Sequence, residues 1–191
     1  LFIFPHKIRA ETINSFDSNI FVNKDGTIKV KENIIYDFSN LSKHGIYRTI
    51  PTVKTNQDGK KYRLKFSNIS VTDENTTMYR YTVVTNNQGL TLKIGDPDKT
   101  ITGIHTYIIS YKVFGALTYF SDHDEFYWNV TGNDCTGPIE KYTSEVYFAD
   151  KMAPHDIKAS CFTGSVGSNE SDCEFSVENN IVNFKSINKL S

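Results

Sequence analysis

No run of apolar residues in this 191-residue chain approaches the roughly 18 that a membrane-crossing helix needs. The chain as given therefore carries no membrane-spanning helix of its own. Excess charge is nearly missing too, with 21 Lys and Arg against 22 Asp and Glu, a formal net charge of −1. A nucleic-acid footprint needs a strongly basic face, so no nucleic-acid partner is expected. No G-x-S-x-G, H-E-x-x-H, Walker or dinucleotide-binding glycine pattern occurs, which leaves no common signature of nucleophilic, zinc-protease or nucleotide chemistry. Sustained 3.6-residue periodicity is scarce, so strands are expected rather than helices. What is present suffices for a core. Apolar residues make up 38% and charged ones 23%, too few charges for intrinsic disorder.

Cysteine is sparse: Cys135, Cys161 and Cys173. An odd count leaves at least one without a partner in the chain. Cys161 and Cys173 bracket a stretch rich in Gly, Ser and Asn that reads as a loop between two adjacent strands. A disulfide across its neck fits the spacing of paired strands. It would contribute on the order of 3 kcal/mol and imply an oxidising compartment. Two reduced thiols in a cytosolic protein are the alternative. No C-x-x-C or paired Cys/His spacing points to zinc. Residues 1–10 read as the tail of a secretory signal, with Ala10 at the cleavage position, or as a tag remnant; residues 11–191 read as one domain.

Alternation of apolar and polar residues dominates that domain. Ile28, Val30, Ile34, Tyr36 and Phe38 share one face of a strand, after a hairpin signal at Asp25-Gly26. Tyr62, Leu64 and Phe66 repeat the pattern, and Ile69 and Val71 resume it one register out, so a bulge is expected near Ser67-Asn68. A hairpin is expected around Asn86–Gly89. The longest strand is expected at 104–114, and others at 142–148, 157–162, 173–177 and 181–184. About ten short strands with frequent turn signals predict an all-β fold, a single-domain antiparallel β-sandwich of immunoglobulin-like general architecture. One short helix is expected, from Ser121 to Asn129, where Ser-Asp-His-Asp-Glu offers a cap and an acidic first turn.

That same stretch holds the densest polar cluster, Asp122, His123, Asp124 and Glu125. Carboxylates and an imidazole can ligate a metal or work as an acid–base pair. They can equally cap free helix amides. His105, on the expected inward face, would strengthen a site if the fold brought it to Asp122 or Asp124. Asp96-Pro97-Asp98 is turn chemistry and falls short of a calcium loop. Glu32 is in phase with Val30 and Ile34, so it should point inward, where a lone carboxylate is costly. Arg48 is its expected partner, as a structural pair that fixes register.

The chain resembles the DUF2207 family of bacterial and archaeal predicted membrane proteins. The resemblance is carried by Tyr36-Asp37-Phe38, by His44-Gly45-Ile46-Tyr47-Arg48-Thr49-Ile50-Pro51 and by Ile94-Gly95-Asp96-Pro97-Asp98. Thr102–Tyr107, Gly115-Ala116-Leu117, Tyr119-Phe120, and above all the run Asp122–Asn133 extend it, with Cys161, Thr163-Gly164, Gly167-Ser168 and Asp172-Cys173 completing it. It implies a signal peptide, an extracytoplasmic β-rich domain anchored through membrane segments outside this chain, and a final apolar strand beyond Ser191. It supplies no catalytic residues and no cofactor. Cys135 departs from the aromatic residue the resemblance implies at that position.

The function expected from these readings is a non-catalytic binding or interaction module at the cell envelope, its partner a protein or an envelope ligand. The alternative is a metal-binding or hydrolytic envelope enzyme built from Asp122, His123, Asp124 and Glu125 with His105. Stacking of sugars on exposed aromatics is a third reading, weaker because most aromatics follow the inward phase.

Overall fold

Alternation builds most of the molecule, as a computed structural model of the chain shows; it describes residues 10–56, 58–86, 89–132, 137–164 and 167–190. Cys135, Asn87, Gln88 and the first nine residues, on which some of the expectations above fall, lie outside those residues. The strands are β1 (Thr12–Val22), β2 (Ile28–Asp37), β3 (Gly45–Ile50), β4 (Val53–Thr55), β5 (Lys61–Arg63), β6 (Lys65–Thr72) and β7 (Tyr81–Thr85). The second half adds β8 (Leu90–Gly95), β9 (Ile104–Phe114), β10 (Leu117–Tyr119), β11 (Asp124–Phe126), β12 (Tyr142–Phe148), β13 (Cys173–Glu178) and β14 (Ile181–Ser186).

Seven of these form one sheet, in the order β13-β14-β12-β1-β2-β9-β6, and a second sheet runs β3-β8-β7. Inward residues of both merge into a single core. Ile20, Val30, Ile34, Tyr107 and Ile109 from the large sheet meet Ile46, Ile50, Leu92 and Ile94 from the small one. The all-β reading holds, as a two-layer arrangement with two extra ribbons, β4-β5 and β10-β11. Asp25-Gly26 makes the β1–β2 turn, where Gly26 takes φ 73° and Asp25 Oδ1 accepts the Thr27 amide at 3.0 Å. The expected bulge appears as a register break between Ser67 and Ser70, with Asn68 at φ 54°.

Three expectations are corrected. The pairing is not wholly antiparallel, because β1 runs parallel to β12, with Phe16 opposite Tyr142 and Val22 opposite Phe148. Residues 121–129 form no helix: β10 and β11 make an antiparallel ribbon pairing Leu117 with Phe126. Phe126 and Trp128 there pack against the core while Glu125 and Tyr127 are exposed, a period of two that outweighs the capping residues. Residues 157–162 pair with no strand. Their inward and outward residues alternate because an extended segment crossing a sheet face has the same period as a strand, without the ladder. A 3-10 turn, Pro154–Asp156, precedes them.

Candidate functional site

The acidic cluster sits at the tip of the β10–β11 ribbon. The Phe120 amide donates to the His123 carbonyl at 2.9 Å, closing the turn. His123 Nδ1 lies 2.9 Å from Asp122 Oδ1, and its ring stacks on Phe120 with centroids 4.6 Å apart. The hydrogen bond and charge of His123 hold the Asp122 carboxyl below its ordinary range. Both side chains are largely in water. Asp124 and Glu125, as neighbours in a strand, point to opposite faces. The ribbon rests at the β1–β2 turn, where the Tyr119 hydroxyl occupies the space a Cβ at Gly26 would need.

His105 is elsewhere. It opens β9 opposite Tyr36, packs edge-on to Phe38, and its Nε2 lies 3.1 Å from the Thr102 carbonyl. The β1–β2 turn lies at the other end of β9, where Val113 pairs with Ile28. Eight residues of strand separate the two ends, roughly 26 Å. The fold does not bring His105 to the acidic cluster. Among the described residues no group of three or more His, Cys, Asp or Glu is placed to hold a metal ion.

Glu32 and Arg48 meet between the two sheets. Glu32 is wholly buried and Arg48 is 4% exposed. Arg48 Nε donates to Glu32 Oε2 at 2.8 Å and Nη2 to Oε1 at 2.7 Å, a two-pronged pair. Tyr111 donates its hydroxyl to Oε1 at 2.6 Å. Burial, with the adjacent Glu32 charge, pushes the Tyr111 phenol well above its ordinary range. The guanidinium also lies over the Phe16 ring, 5.1 Å from its centroid.

The pair is more than a register pin. Arg48 Nη1 donates to the carbonyls of Thr49 (3.0 Å) and Thr131 (2.8 Å), and Nη2 to that of Val130 (2.8 Å). Arg48 thus clasps the strap that follows β11. Gly132 closes the clasp: it takes φ 80°, and a Cβ there would come within 2.5 Å of Arg48 Nη1. This role was hidden from sequence reasoning because backbone carbonyls carry no residue identity.

The strap borders a groove of about 1320 Å³. Its floor is the inner face of the large sheet: Ile20 and Val22 on β1, Val146 and Phe148 on β12, Val182 and Phe184 on β14. Trp128 and Val130 form one wall, and Ile157 and Ala159 the other. The second wall is stapled to β13 by the Cys161–Cys173 disulfide, Cα–Cα 6.2 Å. Asp122, His123, Asp124 and Glu125 are also among its lining residues.

An all-β, two-layer domain with a groove along its larger sheet is the class the geometry defines. The chain belongs to the family described as predicted membrane protein (DUF2207), N-terminal domain, whose model matches residues 12–183. It is 29% identical over 160 residues to the uncharacterized protein YciQ of Escherichia coli (strain K12), covering 82% of this chain and 25% of that protein. The chain therefore spans about a quarter of that curated relative. Among solved structures it resembles native leukotriene A4 hydrolase from Saccharomyces cerevisiae, with a TM-score of 0.51 at 10% identity over 95% of this chain and 27% of that one. A second yeast LTA4 hydrolase structure gives 0.50 at 8% identity, covering 94% and 27%. At such identities the likeness shows the fold alone. Among the described residues no helix is long and apolar enough to cross a membrane.

Proposed function

We propose that this domain of a membrane protein works on the outer side of the membrane as a non-catalytic binding module, with the groove as its ligand site. The observation that carries the reading is the stapled wall. The Cys161–Cys173 bond holds one side of the groove, and such bonds persist in oxidising compartments. The groove is a concave cleft lined by apolar and polar side chains together, the kind of surface on which ligands bind. The hydrolytic alternative draws no support from geometry, since His105 and the acidic turn occupy opposite ends of β9.

Two measurements test this. In cells making the full-length protein, Cys161 and Cys173 should resist alkylation by a maleimide until a reductant is added; modification of both without reductant would remove the outer location. The 191-residue chain should co-sediment with isolated cell-envelope material, and Ala159→Trp, which fills the groove, should reduce that at least tenfold. Equal sedimentation of parent and variant would remove the groove as the site.

A further inference from the structure

We propose that the free edge of β7 joins the same edge of a second copy of this chain, strand to strand, in a two-fold dimer. The small sheet runs β3-β8-β7, so β7 ends it. The Gly95 amide donates to the Arg80 carbonyl, and the Asn86 amide to that of Gly89. The even-numbered residues of β7 therefore bond to β8, and the amides and carbonyls of Tyr81, Val83 and Thr85 point the other way. Tyr79, in the same phase, gives its amide to the Val71 carbonyl of β6 at 2.9 Å. Beyond that point β6 breaks register between Ser67 and Ser70 and follows β9. No backbone group among the described residues pairs with the β7 edge after Tyr79.

Both faces of this edge are open. Val83 is 46% exposed although Leu92, its neighbour across the β7–β8 pair, is wholly buried. Val84, on the other face, is 53% exposed, and Thr82 and Thr85 are exposed as well. A run of Thr and Val suits a strand. It carries no charge, proline or bulge, the devices that keep edges from pairing. The other outer strands of the two larger sheets are guarded. β13 carries Glu174 and Glu178, and β6 begins at Lys65 and is bulged. The strap lies against β3, where a Cβ at Gly132 would come within 2.8 Å of the Thr49 carbonyl oxygen.

A second copy fits because the strand matches itself. Turned antiparallel about Val83, that residue meets its own copy, Tyr81 meets Thr85, Thr82 meets Val84 and Arg80 meets Asn86. No like charges are opposed. This register engages all three outward-bonding residues, and a shift either way loses one. The pairing is isologous and uses up the edge, so it closes at two copies. Five residues a side bury less than the roughly 1,200 Å² of a stable interface, so free chains associate weakly. Copies held on one membrane meet at a far higher local concentration, where a weak contact suffices.

Sedimentation equilibrium of the 191-residue chain, raised from about 5 µM to about 500 µM, should show the mass climbing from one copy towards two and no further. Val83→Lys sets two cations opposite each other and should weaken association at least about tenfold, as should Val83→Glu with two anions; mixing the two variants should restore it. Val83→Pro removes an outward amide without taking a bond from β8, and should weaken association too. Urea midpoints confirm that each variant is folded. If Val83→Lys is not, Thr82→Lys combined with Val84→Lys decides the matter, because it opposes cations on the outer face alone. A chain that stays single throughout, one that grows past two copies, folded variants that associate like the parent, or a mixture that stays apart overturns the proposal.

Discussion

Two of the charged groups in this domain differ most in their surroundings. Glu32, Arg48 and Tyr111 are sealed between the sheets, and each Arg48 donor named above has an acceptor. Asp122, His123, Asp124 and Glu125 are as rich in chemistry but stand in water at the tip of a two-stranded ribbon. In water, attraction between opposite charges is screened and each group has solvent to bond to. Inside, every missing partner leaves a desolvated charge. The interior group therefore determines structure, and the exposed one that first draws the eye determines little of it.

Removing the interior cation should separate the two regions most. Arg48→Met leaves the Glu32 carboxylate buried alone and releases the strap carbonyls, a loss of about 3–5 kcal/mol in urea unfolding. Adding Glu32→Gln removes the stranded charge, so the double variant should be more stable than Arg48→Met; additive losses would show that the two act independently. Tyr111→Phe should cost about 1–3 kcal/mol near neutral pH, since Glu32 loses a charge-assisted hydrogen bond. It should also change the alkaline limb. The folded state keeps the Tyr111 phenol protonated beyond the pH of about 10 at which the unfolded chain gives its proton up, so stability falls as pH rises past that point. Tyr111→Phe should make that fall shallower, leaving the share due to the other raised phenols, those of Tyr107, Tyr79, Tyr142 and Tyr147. At the ribbon tip, His123→Ala should leave the urea midpoint where it was; a clear drop would mean that the exposed cluster carries structural weight after all.

How far the sequence could be read follows from the range of each interaction. β9 was readable because Tyr107, Ile109, Tyr111 and Val113 recur at every second position, with Thr106, Ser110 and Lys112 in the alternate phase. Glu32 revealed itself as a carboxylate in an apolar phase, and Arg48 as the guanidinium within the His44–Pro51 motif. The ribbon at 117–126 was misread because Ser, Asp and Glu near a turn suit a helix cap and a hairpin tip equally well. Residues 157–162 misled because alternation reports that one side is buried, not that a neighbouring strand exists. The groove was not readable at all. It depends on the strap, on β14 and on the parallel pairing of β1 with β12, which join residues far apart and leave no local pattern.

That parallel pairing also bears on how the protein is made. Asp17 and its partner Thr143 are separated by 126 positions. At a synthesis rate of about 5–20 residues per second, β1 waits roughly 6–25 s with one hydrogen-bonding edge bare. This interval favours an escort that shields the first hairpin. Until β12 arrives, the nascent chain is most vulnerable to pairing with a stranger.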